Sequence, residues 1–115
     1  MTVITKDIGR ADFQLHRYAD ERIGVLWQES LYNGDTYDNK DLSGWIATLT
    51  LESDLGETLV EVECTCTSDG YTIADIPYSV MSSEILKPYT FGRWRIVGTD
   101  GMKTEVIGAG NFEIV

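Results

Sequence analysis

The sequence has little positive charge: nine Lys and Arg stand against nineteen Asp and Glu, which gives a formal net charge of −10. Surfaces that bind nucleic acid need cationic side chains that displace phosphate counterions, and anionic membranes likewise attract basic segments. We therefore expect neither nucleic acid nor a membrane as a partner. A basic patch on a neighbouring protein suits this surface better, because complementary charge steers association.

Long apolar runs are also absent, so no segment has the roughly 18 apolar residues that a membrane-spanning helix needs. The segment Met1 to Phe13 lacks the apolar centre of a secretory signal peptide, and we expect synthesis in a reducing cytoplasm. Hydrophobic residues nevertheless make up 43% of the 115 residues, enough for a compact core. The sequence predicts one domain over residues 1–115, with residues 1–10 as a candidate extended N-terminal arm.

Cysteine and histidine are scarce, with two Cys and one His. Cys64 and Cys66 are separated by one residue in a strand-like stretch, which puts them on one face about 7 Å apart, farther than a disulfide usually allows. We interpret them as small buried apolar side chains. The alternative, a metal site, needs two further ligands, and the chain offers only His16. His16 is interpreted as a surface or partly buried strand residue.

Short segments that alternate between polar and apolar residues dominate the chain and predict β-strands. The clearest is Glu57 to Thr67, in which Val60 and Val62 face inward while Glu61 and Glu63 face water. A helix would scatter these residues around its axis. Further strands are predicted at Ala11–Ala19, Arg22–Leu31, Gly44–Glu52, Tyr71–Ile76, Thr90–Gly98, Lys103–Ile107 and Asn111–Val115. Seven or eight short strands at this spacing predict an all-β fold, an antiparallel β-sandwich.

Turn residues separate these strands. Turns are predicted at 54–56, 68–70 and 99–102, because each range contains an Asp with a Gly one or two residues after it. Gly108 and Gly110 predict a bulge or bend within the last strand. Between Pro77 and Leu86 the alternation breaks, and Ser82 or Ser83 is predicted to cap a single helical turn, the only helix expected.

Motifs for catalysis are missing. His16 has no Gly-x-Ser-x-Gly partner, and neither a phosphate-binding loop nor a dinucleotide-binding motif is present. Glu61 and Glu63 share a strand face and could be a glycosidase pair, but the flanking threonines indicate a solvated face. We expect no catalytic, cofactor-binding or metal-ligating residues and no cofactor.

The polar loop from Tyr32 to Ser43 is the candidate cation site. Its oxygen-bearing side chains are of the type that calcium prefers; they are Asn33, Asp35, Asp38, Asn39 and Asp41. Their spacing does not match an EF-hand loop, so a polar turn is our interpretation and bound calcium is the alternative.

The aromatic residues divide into two groups. Trp27, Trp45 and Trp94 fall on the apolar sides of their strands and are predicted to lie in the core. Tyrosines fall in loops or at strand ends, positions that are typical of protein interfaces; they are Tyr32, Tyr37, Tyr71, Tyr78 and Tyr89. Two exposed aromatic rings side by side would instead indicate a carbohydrate-binding module.

Four motifs follow one another along most of the chain. They are Asp12-Phe13-Gln14-Leu15, then Asp41-Leu42-Ser43-Gly44-Trp45, then the Asp69-Gly70 turn with Ile85-Leu86-Lys87-Pro88-Tyr89 and Gly92-Arg93-Trp94-Arg95-Ile96, and finally the hairpin Thr99-Asp100-Gly101. Their order resembles the immunoglobulin-like N-terminal domain of tailed-phage baseplate upper proteins and related small minor tail proteins.

The resemblance implies an immunoglobulin-like sandwich with a non-catalytic, structural role in the virion. A minor tail or baseplate component would dock onto a tail-hub or tail-tip protein in several symmetric copies, after assembly in the host cytoplasm. In baseplate proteins this domain carries a longer arm or fibre, whereas this sequence ends at Val115, so we expect a free-standing module. A capsid decoration protein on the phage head and a small carbohydrate-binding module are the alternatives.

Overall fold

A computed structural model describes residues 5–6, 9–30 and 37–115 of the chain. Of residues 5, 6, 9, 10, 30 and 37 only the backbone is described. The described residues contain twelve β-strands and one helical turn. The elements are β1 (Thr5–Lys6), β2 (Gly9–Arg10), β3 (Phe13–Leu15), β4 (Glu21–Leu26), β5 (Gln28–Ser30), β6 (Tyr37–Asn39), β7 (Ile46–Glu52), β8 (Thr58–Glu63), β9 (Thr65–Cys66), β10 (Tyr71–Ile76), α1 (Tyr78–Met81), β11 (Phe91–Thr99) and β12 (Thr104–Ile114). The predicted all-β fold is confirmed.

The strands form three sheets. The largest has the order β2-β12-β11-β7-β8, with β3 also paired to β12, and a second has the order β4-β10-β9. The third sheet has the order β1-β5-β6, and it is joined to the second because β5 directly follows β4 along the chain. The pairings are antiparallel except that β2 and β3 run parallel to β12. These two pairings join the two ends of the chain, which local alternation does not reveal.

The hydrophobic core lies between the largest sheet and the sheet β4-β10-β9. Buried residues alternate along the facing strands as the sequence predicted; they include Ile23 and Val25 of β4, Ala47, Leu49 and Leu51 of β7, Ala74 and Ile76 of β10, and Trp94 and Ile96 of β11. The β-sandwich is therefore confirmed. Val60, Val62, Cys64 and Cys66, predicted to face inward, pack against this core but are only half-buried.

Two of the predicted strands are divided, because the chain passes from one sheet to another within them. The predicted strand 22–31 becomes β4 and β5 on either side of Trp27, and the predicted strand 57–67 becomes β8 and β9 on either side of Cys64. Together with β1 and β2 in the predicted N-terminal arm and β6 in the predicted polar loop, this division gives more and shorter strands than the seven or eight expected. Alternation persists across each break, so the sequence pattern does not show it.

The single helical turn begins earlier than predicted. Pro77 precedes α1, and the Ser82 hydroxyl at its C-terminal end donates a hydrogen bond to the Tyr78 carbonyl oxygen at 2.8 Å. The prediction that Ser82 or Ser83 caps the N-terminus of a turn was wrong. Pro77 lacks a backbone N–H and suits a helix start, and Met81 carries the turn's apolar contact into the core.

Gly108 and Gly110 lie at the predicted irregularity in β12. The pairing register shifts between Ile96 and Val97, which confirms a bulge next to Gly108. Both glycines also make room for Trp94: a Cβ on Gly108 would lie 2.9 Å from its indole ring, and one on Gly110 would lie 2.7 Å from its Nε1.

Candidate functional site

Three connections and the final residue meet at one end of the sandwich. The turn 16–20 joins β3 to β4, the turn 53–57 joins β7 to β8, and the segment 77–91 leads from β10 into β11. Strand register places Val115, at the end of β12, beside them. We call these residues the braced end.

Hydrogen bonds tie the turn 16–20 to the long segment that crosses this end. Arg17, which is half-buried, donates from Nη1 to the Leu86 carbonyl oxygen at 2.8 Å and from Nη2 to that of Tyr89 at 2.7 Å. The Tyr78 backbone N–H donates to Asp20 Oδ1 at 2.6 Å. A charged donor to carbonyl groups makes a strong hydrogen bond, so Arg17 holds two turns in a fixed relation.

The turn 53–57 is held in a similar way. Buried Ser53 accepts hydrogen bonds at its Oγ from the backbone N–H groups of Leu55 at 3.3 Å and Glu57 at 3.1 Å. The Tyr89 hydroxyl lies 3.4 Å from Glu57 Oε2, and the negative charge of Glu57 raises the pKa of that phenol. The turn therefore contacts the segment 77–91 as well.

Large exposed hydrophobic side chains are concentrated at the braced end. In the part of the chain with described side chains, six of nine lie there: Tyr18, Leu55, Tyr78, Ile85, Phe91 and Val115. The other three are Ile46, Tyr71 and Met102, toward the opposite end. Because the turns are held by hydrogen bonds, these six side chains stand on a rigid support, as a binding surface requires.

The surroundings of these side chains are acidic. Asp20, Asp54, Glu57 and Glu84 are exposed at the braced end, and Lys87 is the exposed cation among its residues. Lys87 lies 3.8 Å from Glu84, an exposed pair that contributes little to stability. The surface therefore combines apolar contact area with negative charge.

The three tryptophans do not form an exposed platform. Trp27 and Trp94 are 4% and 2% exposed, which confirms their predicted place in the core, whereas Trp45 is half-buried against it. Trp27 and Trp45 pack edge to face with centroids 5.3 Å apart. The Lys40 ammonium covers both rings, 5.2 Å and 5.7 Å from their centroids, and lies 3.3 Å from Glu29. This cluster anchors β5 and β6 to the sandwich.

The predicted interface tyrosines are found at different places. Tyr71 begins β10, Tyr78 begins α1, and Tyr89 is a half-buried residue of the braced end. Tyr32 and the side chain of Tyr37 lie outside the described residues. Sequence reasoning missed Tyr18, which is 71% exposed, because the predicted strand 11–19 included a residue that the structure places in the turn after β3.

The residues considered for catalysis are surface residues. His16 is exposed, but it follows β3 instead of lying in a strand as predicted, and its Nδ1 lies 2.8 Å from Glu21 Oε1. Glu61 and Glu63 are exposed on the outer face of β8. β8 is the edge strand of the largest sheet, so both carboxylates lie at a sheet edge.

The two cysteines are free thiols. Burial raises the pKa of Cys64 to about 12, with a further increase from Cys66, and burial also raises the pKa of Cys66. Protonated thiols are poor nucleophiles and poor metal ligands. Among the described residues there is no group of three or more His, Cys, Asp or Glu side chains that could hold a metal ion.

The candidate calcium loop is described only in part. Asp38 and Asn39 belong to β6, and Asn39 accepts a hydrogen bond from the Gln28 amide at 3.0 Å. Asp41 Oδ1 accepts the Ser43 N–H at 2.8 Å, and hydrogen bonds from Ser43 lower the Asp41 pKa. These side chains hold a strand and a turn, while Asn33 and Asp35 lie outside the described residues.

The fold and the braced end define this chain as an all-β sandwich with one apolar, acidic end. Residues with described structure form no helix that is long and apolar enough to cross a membrane.

Comparison with known proteins finds likeness among solved structures. No protein family and no curated protein matches the chain. A solved structure described as the 1.4 Angstrom resolution crystal structure of an uncharacterized protein from Bacillus anthracis str. Ames is 17% identical, with a TM-score of 0.39. The match covers 91% of this chain and 84% of that one. At this TM-score the likeness carries no argument about fold or function.

Proposed function

We propose that the protein is a non-catalytic structural component of a tailed-phage virion, a minor tail or baseplate protein that docks onto other tail proteins. The observation that carries docking is the concentration of six exposed hydrophobic side chains at the braced end. The virion setting rests on the sequence resemblance to baseplate and minor tail domains.

The physical properties of the braced end support a docking role. Arg17, Asp20 and Ser53 hold its turns before any partner arrives, so binding costs less conformational entropy. Tyrosine and phenylalanine supply large contact areas with few rotatable bonds. The acidic surroundings suit a partner with a basic patch, which would steer association.

Two other functions remain as alternatives. A capsid decoration protein would use the same kind of surface on the phage head, in a much higher copy number. A carbohydrate-binding module would need aromatic rings exposed side by side, and the burial of Trp27 and Trp94 argues against it.

The first experiment is the copy number of this chain in purified particles of the phage that encodes it, measured by quantitative mass spectrometry. A tail or baseplate component should be present in a few to a few tens of copies, as set by the symmetry of the tail. Hundreds of copies would support the capsid alternative instead. Absence from the particles would overturn the virion assignment.

A second experiment locates the docking surface. Tyr78→Ser and Phe91→Ser, combined, should lower incorporation into particles by about tenfold or more, because aromatic anchors dominate interface energies. Ile46→Ser and Met102→Ser form the matched control, since these side chains are exposed away from the braced end, by 63% and 95%. Equal incorporation of both double variants would exclude the braced end as the docking surface.

A further inference from the structure

A trough crosses the outer face of the largest sheet, over β11 and β12. One part of it, about 380 Å³ in volume, is lined by Glu52, Arg93, Trp94, Arg95 and the run 109–111. An adjoining part of about 350 Å³ shares that run and is lined by Ala11 and Asp12 as well. These volumes are within the range of small-ligand sites.

Small residues make the floor of this trough. Ala109 occupies the β12 position opposite Arg95, where a longer side chain would fill the space, and Gly110, opposite Trp94, has no side chain. An approaching chain can therefore come close to the sheet backbone. Asn111, opposite Arg93 and exposed, contributes an amide that can donate and accept hydrogen bonds.

The trough is less acidic than the molecule as a whole. The guanidinium groups of Arg93 and Arg95 balance the carboxylates of Glu52 and Asp12, on a chain whose net charge is −10. Arg95 Nη2 donates to Glu52 Oε1 at 2.8 Å, and Arg93 Nη2 donates to the Asp54 carbonyl oxygen at 3.1 Å. Each contact orients a guanidinium through one nitrogen, while each group has five N–H donors.

We propose that the trough binds an extended, acidic segment of a partner protein, with carboxylates at alternate residues paired to Arg93 and Arg95. The two arginines are two residues apart on β11, so their Cα atoms are about 6.6 to 6.8 Å apart. An extended segment with the pattern Glu-x-Glu repeats its side chains at the same spacing. Guanidinium groups bind carboxylates through paired hydrogen bonds, which gives this match its specificity.

This inference deepens the proposed docking function, since it identifies the chemistry of one partner segment. A second copy of this chain is a less suitable occupant, although it carries Glu61 and Glu63 on the same sheet face, because two molecules of charge −10 repel each other.

The test uses the whole protein and the peptide Ac-Ala-Glu-Thr-Glu-Ala-NH2 as the probe. Titration followed by nuclear magnetic resonance, at an ionic strength of about 20 mM, should give saturable shifts at residues 93, 95 and 109–111. The matched peptide with Gln in place of Glu should give none. Higher salt should weaken the binding, because it screens exposed charges.

Variants of the protein separate the trough from general charge effects. Combined Arg93→Gln and Arg95→Gln should weaken binding about tenfold or more, since both charged contacts are lost. Arg22→Gln should not, because Arg22 is also exposed and paired to a carboxylate, Asp75, but is surrounded by acids. Combined Arg93→Lys and Arg95→Lys retains the charge and should bind the peptide less tightly than the native protein, because the paired hydrogen-bond geometry is lost.

Several results would overturn the proposal. They are the absence of saturable shifts up to about 10 mM peptide, equal binding of the Gln peptide, an equal loss in the Arg22 variant, or tighter binding of inorganic phosphate at the same ionic strength. A dimer in sedimentation analysis that disappears in Glu61→Gln with Glu63→Gln would make a second copy the occupant. None of these results depends on the particle copy number, so failure here is distinguishable from failure of the virion assignment.

Discussion

At the residue scale, the position of the Trp94 indole ring requires a glycine at residue 110. The indole Nε1 donates a hydrogen bond to the Ala11 carbonyl oxygen at 2.8 Å, and a Cβ on Gly110 would lie 1.8 Å from that same oxygen. The outward-inward alternation of β11 predicted the burial of Trp94. The contact with Ala11 could not be predicted, because Ala11 lies 83 residues earlier in the chain.

Truncation of Trp94 should therefore be costly. We expect Trp94→Ala to lower the free energy of unfolding by about 3 to 5 kcal/mol, through lost apolar contacts and a cavity. Trp45→Ala should cost less, because Trp45 is half-buried. Urea denaturation measures both values. Equal and near-zero costs would show that neither tryptophan is in the core and would revive the carbohydrate-binding alternative.

The thiol of Cys64 should be unreactive in the folded protein. Because burial raises its pKa to about 12, the thiolate that attacks alkylating reagents is a very small fraction at pH 8. Iodoacetamide labelling, followed by mass spectrometry, should be much slower at Cys64 in the native state than in urea. The labelling rate of Cys66, whose pKa is also raised by burial, is measured in the same experiment as the internal comparison. Labelling of Cys64 at the same rate with and without urea would contradict this prediction.

At the scale of elements, the β11–β12 hairpin is well specified by local sequence. Asp100 Oδ1 accepts the backbone N–H groups of Met102 at 2.9 Å and Lys103 at 3.0 Å, and Gly101 has a φ of 95°. This left-handed conformation favours glycine. The Asp-Gly pair therefore predicted the turn correctly, because the contacts that form it lie within a few residues.

The Asp100 carboxylate should make the hairpin sensitive to acid. Hydrogen bonds from Lys103 and Met102 lower its pKa, so the folded state binds this proton less readily than the unfolded state. Its stabilising contribution is then fully present above about pH 4 and is lost as the pH falls through the lowered value. Asp100→Asn should reduce this acid dependence, as measured by denaturation at several pH values. An unchanged pH profile in that variant would refute the assignment.

Other elements were only partly predictable. Alternation identified the strands that became β7, β10 and β11, yet it could not show that the chain leaves one sheet for another at Trp27 and Cys64. A residue between two strands can keep the same inward direction while its neighbours change their hydrogen-bonding partners. Sheet membership therefore depended on the whole structure.

At the scale of the molecule, the braced end depends on Arg17. Its contacts with Leu86 and Tyr89 join residues that are 69 and 72 positions apart. Sequence reasoning assigned no role to Arg17, and a lone arginine in a strand-like segment gives no signal of such a contact. The apolar residues of the end are spread over three connections and become one surface only after folding.

Replacement of Arg17 should loosen the braced end. We expect Arg17→Gln to lower the free energy of unfolding by about 2 kcal/mol, because two partly buried carbonyl groups lose a charged donor. Hydrogen exchange should accelerate across residues 77–91. Arg22→Gln is the control, since exposed Arg22 pairs with exposed Asp75 and should leave stability unchanged within error. Unchanged hydrogen exchange across residues 77–91 in the Arg17 variant would show that the Arg17 hydrogen bonds do not stabilise the braced end.

The sequence by itself determined the inward and outward faces of the strands, the Asp-Gly turns and the acidic character of the surface. These properties follow from residues that are adjacent or two apart, so a local pattern contains them. The tertiary structure alone decided the parallel pairing of β2 and β3 with β12, the hydrogen bonds of Arg17 to Leu86 and Tyr89, and the contact of Trp94 with Ala11. Each of these joins segments far apart in the chain, and packing of the whole core is what brings such segments together.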